Sequence, residues 1–173
     1  MKLKRLELIG FKSFYDKTTF DFSEGISTIV GPNGCGKSNI VDAIRWVLGE
    51  HAPSYVRSKA LEDVIFAGSD AAGPLGMAEV TLTFVNDDGN APPGYESYVE
   101  ISVTRRTYRD GESEFLINRM PCRLKDIAEP FLDMGAGARG YAIVQQGKVG
   151  EFAKAKPDEN RLIIEEAAGG TLF

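Results

Sequence analysis

Ala78, Val80, Leu82 and Phe84 alternate with Glu79, Thr81, Thr83 and Val85, the period of two that marks a strand with one buried face. Tyr98 to Tyr108 repeats the alternation, and Glu114 to Ile117 gives a third short strand. Asp110-Gly111 between them is a hairpin turn signal. Leu3 to Ile9 and Thr18 to Phe22 read as two earlier strands, with Phe20 and Phe22 on one face. Ile26-Ser27-Thr28-Ile29-Val30 is a short apolar, β-branched run, which predicts a buried strand. The period then changes. Ile40, Val41, Ile44, Val47 and Leu48 fall on one face of an amphipathic helix that Gly49 is placed to end.

Residues 51–70 read as loops around Val64-Ile65-Phe66, broken at Pro53 and Gly68, and residues 86–94 as a turn-rich connection. Leu124 to Asp133 begins as a helix that Pro130 should kink or shorten. A glycine-containing loop, Gly135 to Gly140, and a short strand, Tyr141 to Gln145, follow. Pro157 then opens a charged helical run, Asp158 to Ala168. The strand count is high for a simple doubly wound domain. The expected class is α/β, a core around the helix at Ile40 with a β-rich, partly antiparallel lobe.

Between the third strand and that helix lies Gly31-Pro32-Asn33-Gly34-Cys35-Gly36-Lys37-Ser38-Asn39, which matches the phosphate-binding P-loop G-x-x-x-x-G-K-[ST]. The glycines let the backbone curl so that successive N–H groups face phosphate oxygens. The helix that starts near Ser38 adds its positive end. Lys37 is the expected ligand of the β- and γ-phosphates, and the Ser38 hydroxyl of Mg2+. A glycine-rich turn with no ligand is the competing reading, and the strand–loop–helix context weighs against it.

Composition adds less. A chain of 173 residues can bury one core, and a formal charge of −5 argues mildly against nucleic acid unless a local basic patch exists. Cys35 and Cys122 do not make a disulfide framework. Met1 to Phe22 mixes charged and apolar residues rather than forming a secretory signal, and no apolar run is long enough to span a membrane. A cytoplasmic protein is expected.

A P-loop NTPase also needs an aspartate at the end of an apolar strand, usually with a catalytic carboxylate beside it. Four apolar residues ending in Asp-Glu do not occur here. The nearest approach, Leu162-Ile163-Ile164-Glu165-Glu166, lies in the charged helical run. That pattern fits half of an ATPase.

Several segments then carry a family resemblance. They are Gly10-Phe11-Lys12-Ser13-Phe14, the P-loop, Asp42 to Glu50, Glu62 to Ser69 and Ser102-Val103-Thr104-Arg105-Arg106. Gly111 to Asn118, Pro121 to Ile127, Gln146-Gly147-Lys148-Val149 and Glu165-Glu166-Ala167-Ala168-Gly169 extend them. Over essentially its whole length the chain resembles the N-terminal half of the ATPase head of SMC (structural maintenance of chromosomes) proteins, the ATPases of condensin and cohesin. It looks most like the bacterial, homodimeric type. The resemblance implies an ABC-type P-loop ATPase half-head over residues 1–173, with the coiled coil beginning near 165–173. It further implies ATP and Mg2+ as cofactors. The implied partners are the C-terminal half of the head, a second SMC protomer, a kleisin subunit and DNA bound without sequence preference. A nucleoid-associated, cytoplasmic location with no membrane follows. The fragment alone is expected to be inactive, its ATPase completed by the other half-head and a second head.

The resemblance also implies residue roles. Gln146 matches the glutamine-loop residue that touches Mg2+ or orients the attacking water, and Arg57 matches an arginine finger. Lys12 and Ser13 resemble residues flanking the nucleotide. Arg123, Lys125 and Lys59 match basic residues that touch DNA, with Arg123 and Lys125 read as alternate positions of an extended stretch. Taken alone, without the resemblance, these arginines and lysines read better as solvated surface charges. Cys35 stands where serine is common and acts through its backbone. Trp46 and His51 read as structural, and Asp42 and Arg45 as an exposed helix face or a local ion pair. Three alternatives remain: a double-strand-break repair ATPase of the same superfamily, an ABC transporter nucleotide-binding subunit, and a nucleotide-binding module that does not hydrolyse.

Overall fold

The structure is a computed structural model and describes residues 1–49, 61–87 and 91–131. Six strands form one sheet in the order β2-β1-β3-β4-β5-β6, and every pairing is antiparallel. They are β1 (Lys2–Ile9), β2 (Thr18–Asp21), β3 (Met77–Val85), β4 (Glu100–Tyr108), β5 (Ser113–Ile117) and β6 (Met120–Cys122). Strict alternation drives this. Ala78, Val80, Leu82 and Phe84 of β3 are buried beside Ile101 and Val103 of β4, as the period of two requires. The opposite face carries Thr81 and Thr104, whose hydroxyls lie 2.8 Å apart, and the Glu79–Arg106 ion pair. The Asp110-Gly111 turn closes the β4–β5 hairpin, with Gly111 at φ 88°.

Helix α1 (Lys37–Val47) lies on the apolar face of β3 and β4. Its buried stripe is Ile40, Ala43, Trp46 and Val47, whereas Val41 is 40% exposed, one position off the expected face. Asp42 and Arg45 are also buried, which corrects their reading as an exposed helix face. The partner of Asp42 is not local either: it is Lys12, thirty positions away. A single 3₁₀ turn, Leu61–Val64, leads into Ile65, which bridges Phe11. Helix α2 (Leu124–Phe131) has Pro130 in its last described turn.

The expected strand at Ile26–Val30 does not form. These residues make no ladder, and Ile26 and Val30 are 97% and 83% exposed. Strand geometry needs a neighbour to take up its N–H and C=O groups. No described strand lies beside this run. The extra strand β6 was not expected, and it pairs with β5 through a turn at Asn118 and Arg119, both at positive φ.

Candidate nucleotide site

The P-loop sits at the N-terminus of α1, where Gly36 holds a left-handed φ of 94°. No side chain caps this end, so the first N–H groups of the helix remain donors for an anion. A Cβ at Gly36 would lie 2.5 Å from Ser13 Oγ, so only glycine fits the close approach of the two loops. Asn39 Nδ2 donates to the same Ser13 oxygen at 2.8 Å. The loop after β1 and the P-loop are therefore one unit. Lys37 Nζ donates to the carbonyls of Gly31 and Pro32, each at 2.6 Å, which holds the ammonium against the mouth of the loop. Cys35 is exposed, with its sulfur 3.9 Å from that ammonium.

Lys12 takes a positive φ of 50° and pairs with Asp42, Nζ to Oδ2 2.7 Å, with side chains 12% and 5% exposed. Its backbone N–H donates to the Val64 carbonyl at 2.7 Å. The structure thus brings Ser13 to the P-loop and turns the Lys12 ammonium toward the flank of α1.

The residue types fit a nucleoside triphosphate: a glycine loop, an uncapped helix end and a lysine held at the loop. Ser38 in the first turn of α1 is placed to supply one hydroxyl to Mg2+. Among the described residues, no three acidic, cysteine or histidine side chains cluster so as to hold a metal ion. Gln146, Arg57 and Lys59 lie outside the described residues, as do Glu165, Glu166 and the segment expected to begin the coiled coil.

Arg123 and Lys125 are both exposed, but not as alternate positions of a strand. Arg123 immediately precedes α2 and Lys125 lies in its first turn. Asp126 Oδ2 accepts from the Arg123 backbone N–H at 2.8 Å, the returning half of a capping box. Next to them, burial pushes the Tyr95 phenol and the Cys122 thiol up, and the Asp126 carboxylate adds to both.

Sequence reasoning passed over Arg105. The residue is 1% exposed; its guanidinium lies 4.4 Å over the Trp46 ring and donates from Nη1 to the Trp46 carbonyl at 2.8 Å. Burial lowers its pKa to about 10, which leaves it charged at neutral pH. Parity was the available signal, since Arg105 shares a face with Ile101 and Val103.

A polar concavity of about 700 Å³, lined by Thr81, Thr83, Ser102, Thr104 and Arg106 among others, occupies the outer face of the sheet, away from α1.

Comparison with known proteins places this arrangement. The Chromosome partition protein Smc of Myxococcus xanthus (strain DK1622) is 52% identical over 174 residues, covering 100% of this chain and 14% of that protein. A chain solved in work on the structural biochemistry of ATP-driven dimerization and DNA stimulated activation of SMC ATPases is 38% identical with a TM-score of 0.83, covering 96% of this chain and 99% of that one. The SmcHead bound to the C-winged helix domain of ScpA matches with a TM-score of 0.87 and 38% identity, covering 96% of this chain and 51% of that one. The fold is therefore that of an SMC head domain, an ABC-type ATPase, and the chain spans only 14% of the curated relative's length. A family model described as the RecF/RecN/SMC N terminal domain matches residues 2–137, so the P-loop, its antiparallel lobe and the start of α2 identify a chain that belongs to the RecF/RecN/SMC N-terminal domain family.

Proposed function

We propose that this chain is the ATP-binding half of an SMC head, which joins a C-terminal half-head and engages a second head around ATP·Mg2+. One observation carries the reading: the phosphate-binding loop is complete, while the apolar run leading into it, Ile26–Val30, stands exposed and pairs with no described strand. Such a run is a strand awaiting a sheet. The completing half-head is the natural source of that sheet, and it also supplies the acidic residues for Mg2+.

In the completed head, Lys37 neutralises phosphate charge and Ser38 holds Mg2+, with Gln146 as second ligand or water-orienting group. Arg57 reaches the phosphates when heads close, and Ser13 and Lys12 flank the nucleotide. ATP-driven engagement then moves DNA held on Arg123, Lys125 and Lys59. The relatives support these partners: one neighbour's study concerns ATP-driven dimerization and DNA stimulated activation, and another neighbour holds a ScpA domain. A kleisin of that kind, a second identical protomer and DNA without sequence preference are the proposed partners. Work on the chromosome implies a nucleoid-associated, cytoplasmic location. No helix among the described residues is long and apolar enough to cross a membrane.

The test mixes the chain with the C-terminal half of the same head. ATP turnover is expected only in the mixture, and amides of residues 26–30 should gain hydrogen-exchange protection there. Full turnover by this chain alone, unaffected by Lys37→Ile, rejects the reading.

A further inference from the structure

We propose that Arg105 is a positioning residue that ties the P-loop helix to the Arg123–Lys125 segment, so that DNA contact at that segment is transmitted to the bound nucleotide. The proposal rests on the DNA contact proposed above.

Three contacts make the connection. Arg105 lies between the Trp46 ring at the C-terminal end of α1, 4.4 Å away, and the Phe115 ring of β5, 5.1 Å away. Phe115 pairs in register with Cys122 of β6, and the next residue is Arg123. Separately, Gly49 follows α1 at φ 96°, and a Cβ there would lie 3.1 Å from Ala128 Cβ and 3.5 Å from Leu124 Cδ1 of α2. The end of the P-loop helix thus abuts the helix whose first turn carries Lys125, with only backbone on its own side of the seam.

A core built for stability alone has no use for this arginine. Among the described residues no carboxylate pairs with it, and Arg105 Nε and Trp46 Nε1 are both buried without a hydrogen-bond partner. A buried, unpaired charge loses more in desolvation than a leucine or methionine at the same position. What the guanidinium adds is direction. It donates to a carbonyl at the negative end of α1 and clamps two rings at once, which fixes the helix end against both sheet and hairpin. α1 has 11 residues, so a rigid rod of about 16 Å joins this clamp to Lys37 and Ser38 at its other end. Close-packed contacts pass a displacement on instead of absorbing it.

The experiment uses the complete, dimerising head and linear duplex DNA. ATP turnover with and without DNA, DNA affinity by fluorescence anisotropy, and Tm are measured for wild type, Arg105→Met and Ala128→Val. Met replaces the charge with an apolar chain, and Val wedges the seam at Gly49. Both variants are expected to keep basal turnover and DNA affinity, while stimulation by DNA falls about 5-fold or more. Stimulation equal to wild type in both variants overturns the coupling and leaves the DNA contact standing. A joint fall in Tm, basal and stimulated rates at constant ratio also overturns it, since the residues would then be only structural. A wild-type head that neither binds nor responds to DNA rejects the DNA reading, and the coupling with it.

Discussion

Lys12 and Asp42 form a nearly buried ion pair, 2.7 Å from Nζ to Oδ2, that pins the loop after β1 to the flank of the P-loop helix. Removing one member takes an ion-pair partner from the other in a low-dielectric site. Asp42→Leu is therefore expected to destabilise the head by about 3 kcal/mol. Lys12→Met should cost a similar amount, and the double variant less than the sum by about 1–2 kcal/mol. Urea denaturation of the three variants checks this. If Lys12 also touches nucleotide, Lys12→Met alone should weaken ATP binding at temperatures where both single variants are folded.

Gly34 and Gly36 both hold positive φ, 83° and 94°, but their surroundings differ. An added Cβ at Gly34 meets nothing within 4 Å, whereas at Gly36 it meets Ser13 Oγ at 2.5 Å. Both alanine variants carry a backbone cost of about 1–2 kcal/mol. Only Gly36→Ala must also push the Ser13 loop away from the P-loop. ATP affinity in the completed head should therefore fall further for Gly36→Ala than for Gly34→Ala, and Ser13→Gly should recover part of the difference. Equal affinities in the two single variants would show that the close approach of Ser13 is of no consequence for the nucleotide.

Lys37→Ile should abolish ATP binding by the completed head, since the ammonium held at the loop mouth is the group proposed to meet phosphate. Gln146→Leu should leave ATP binding largely intact and impair head engagement or hydrolysis. Equilibrium nucleotide binding measured beside turnover separates the two, and an equal loss of affinity in both variants contradicts the assigned roles.

Arg123 and Lys125 flank the Asp126 carboxylate at the start of α2, so their charges are exposed on a capped helix end. With Lys59 as a third contact, neutralising three phosphates gives a log–log salt slope of about −2.7. Between 50 and 200 mM salt, affinity should fall about 40-fold. Arg123→Glu combined with Lys125→Glu should weaken DNA binding by engaged heads and reduce the slope to about −0.9. ATP binding should survive, because neither residue lies at the P-loop. Wild-type affinity and slope in the double variant would reduce the pair to ordinary surface charge.

Much of this fold was legible locally. The alternation of Ala78 to Phe84, the Asp110-Gly111 turn and the P-loop each depend on neighbours a few residues apart, and each stands where the pattern puts it. Arg123 and Lys125 were misplaced because a three-residue strand followed directly by a capped helix leaves too short a pattern to separate from one extended stretch. Arg105 carries no local signal beyond parity: it points inward, and the Trp46 and Phe115 rings with the Trp46 carbonyl make an inward arginine tolerable.

The sequence by itself determined which segments are strand-like or helical, which loop carries the phosphate-binding pattern and which family the motifs resemble. These are properties of short-range periodicity and of backbone conformations that glycine alone adopts easily. Tertiary structure decided the partners. It joined Lys12 to Asp42 across thirty positions, seated Ser13 against Gly36, and closed the end of α1 onto α2 at Gly49. It also left Ile26–Val30 exposed, although that run has the composition of a buried strand. Strand propensity is written in the run itself, whereas burial depends on a second surface being there to meet it.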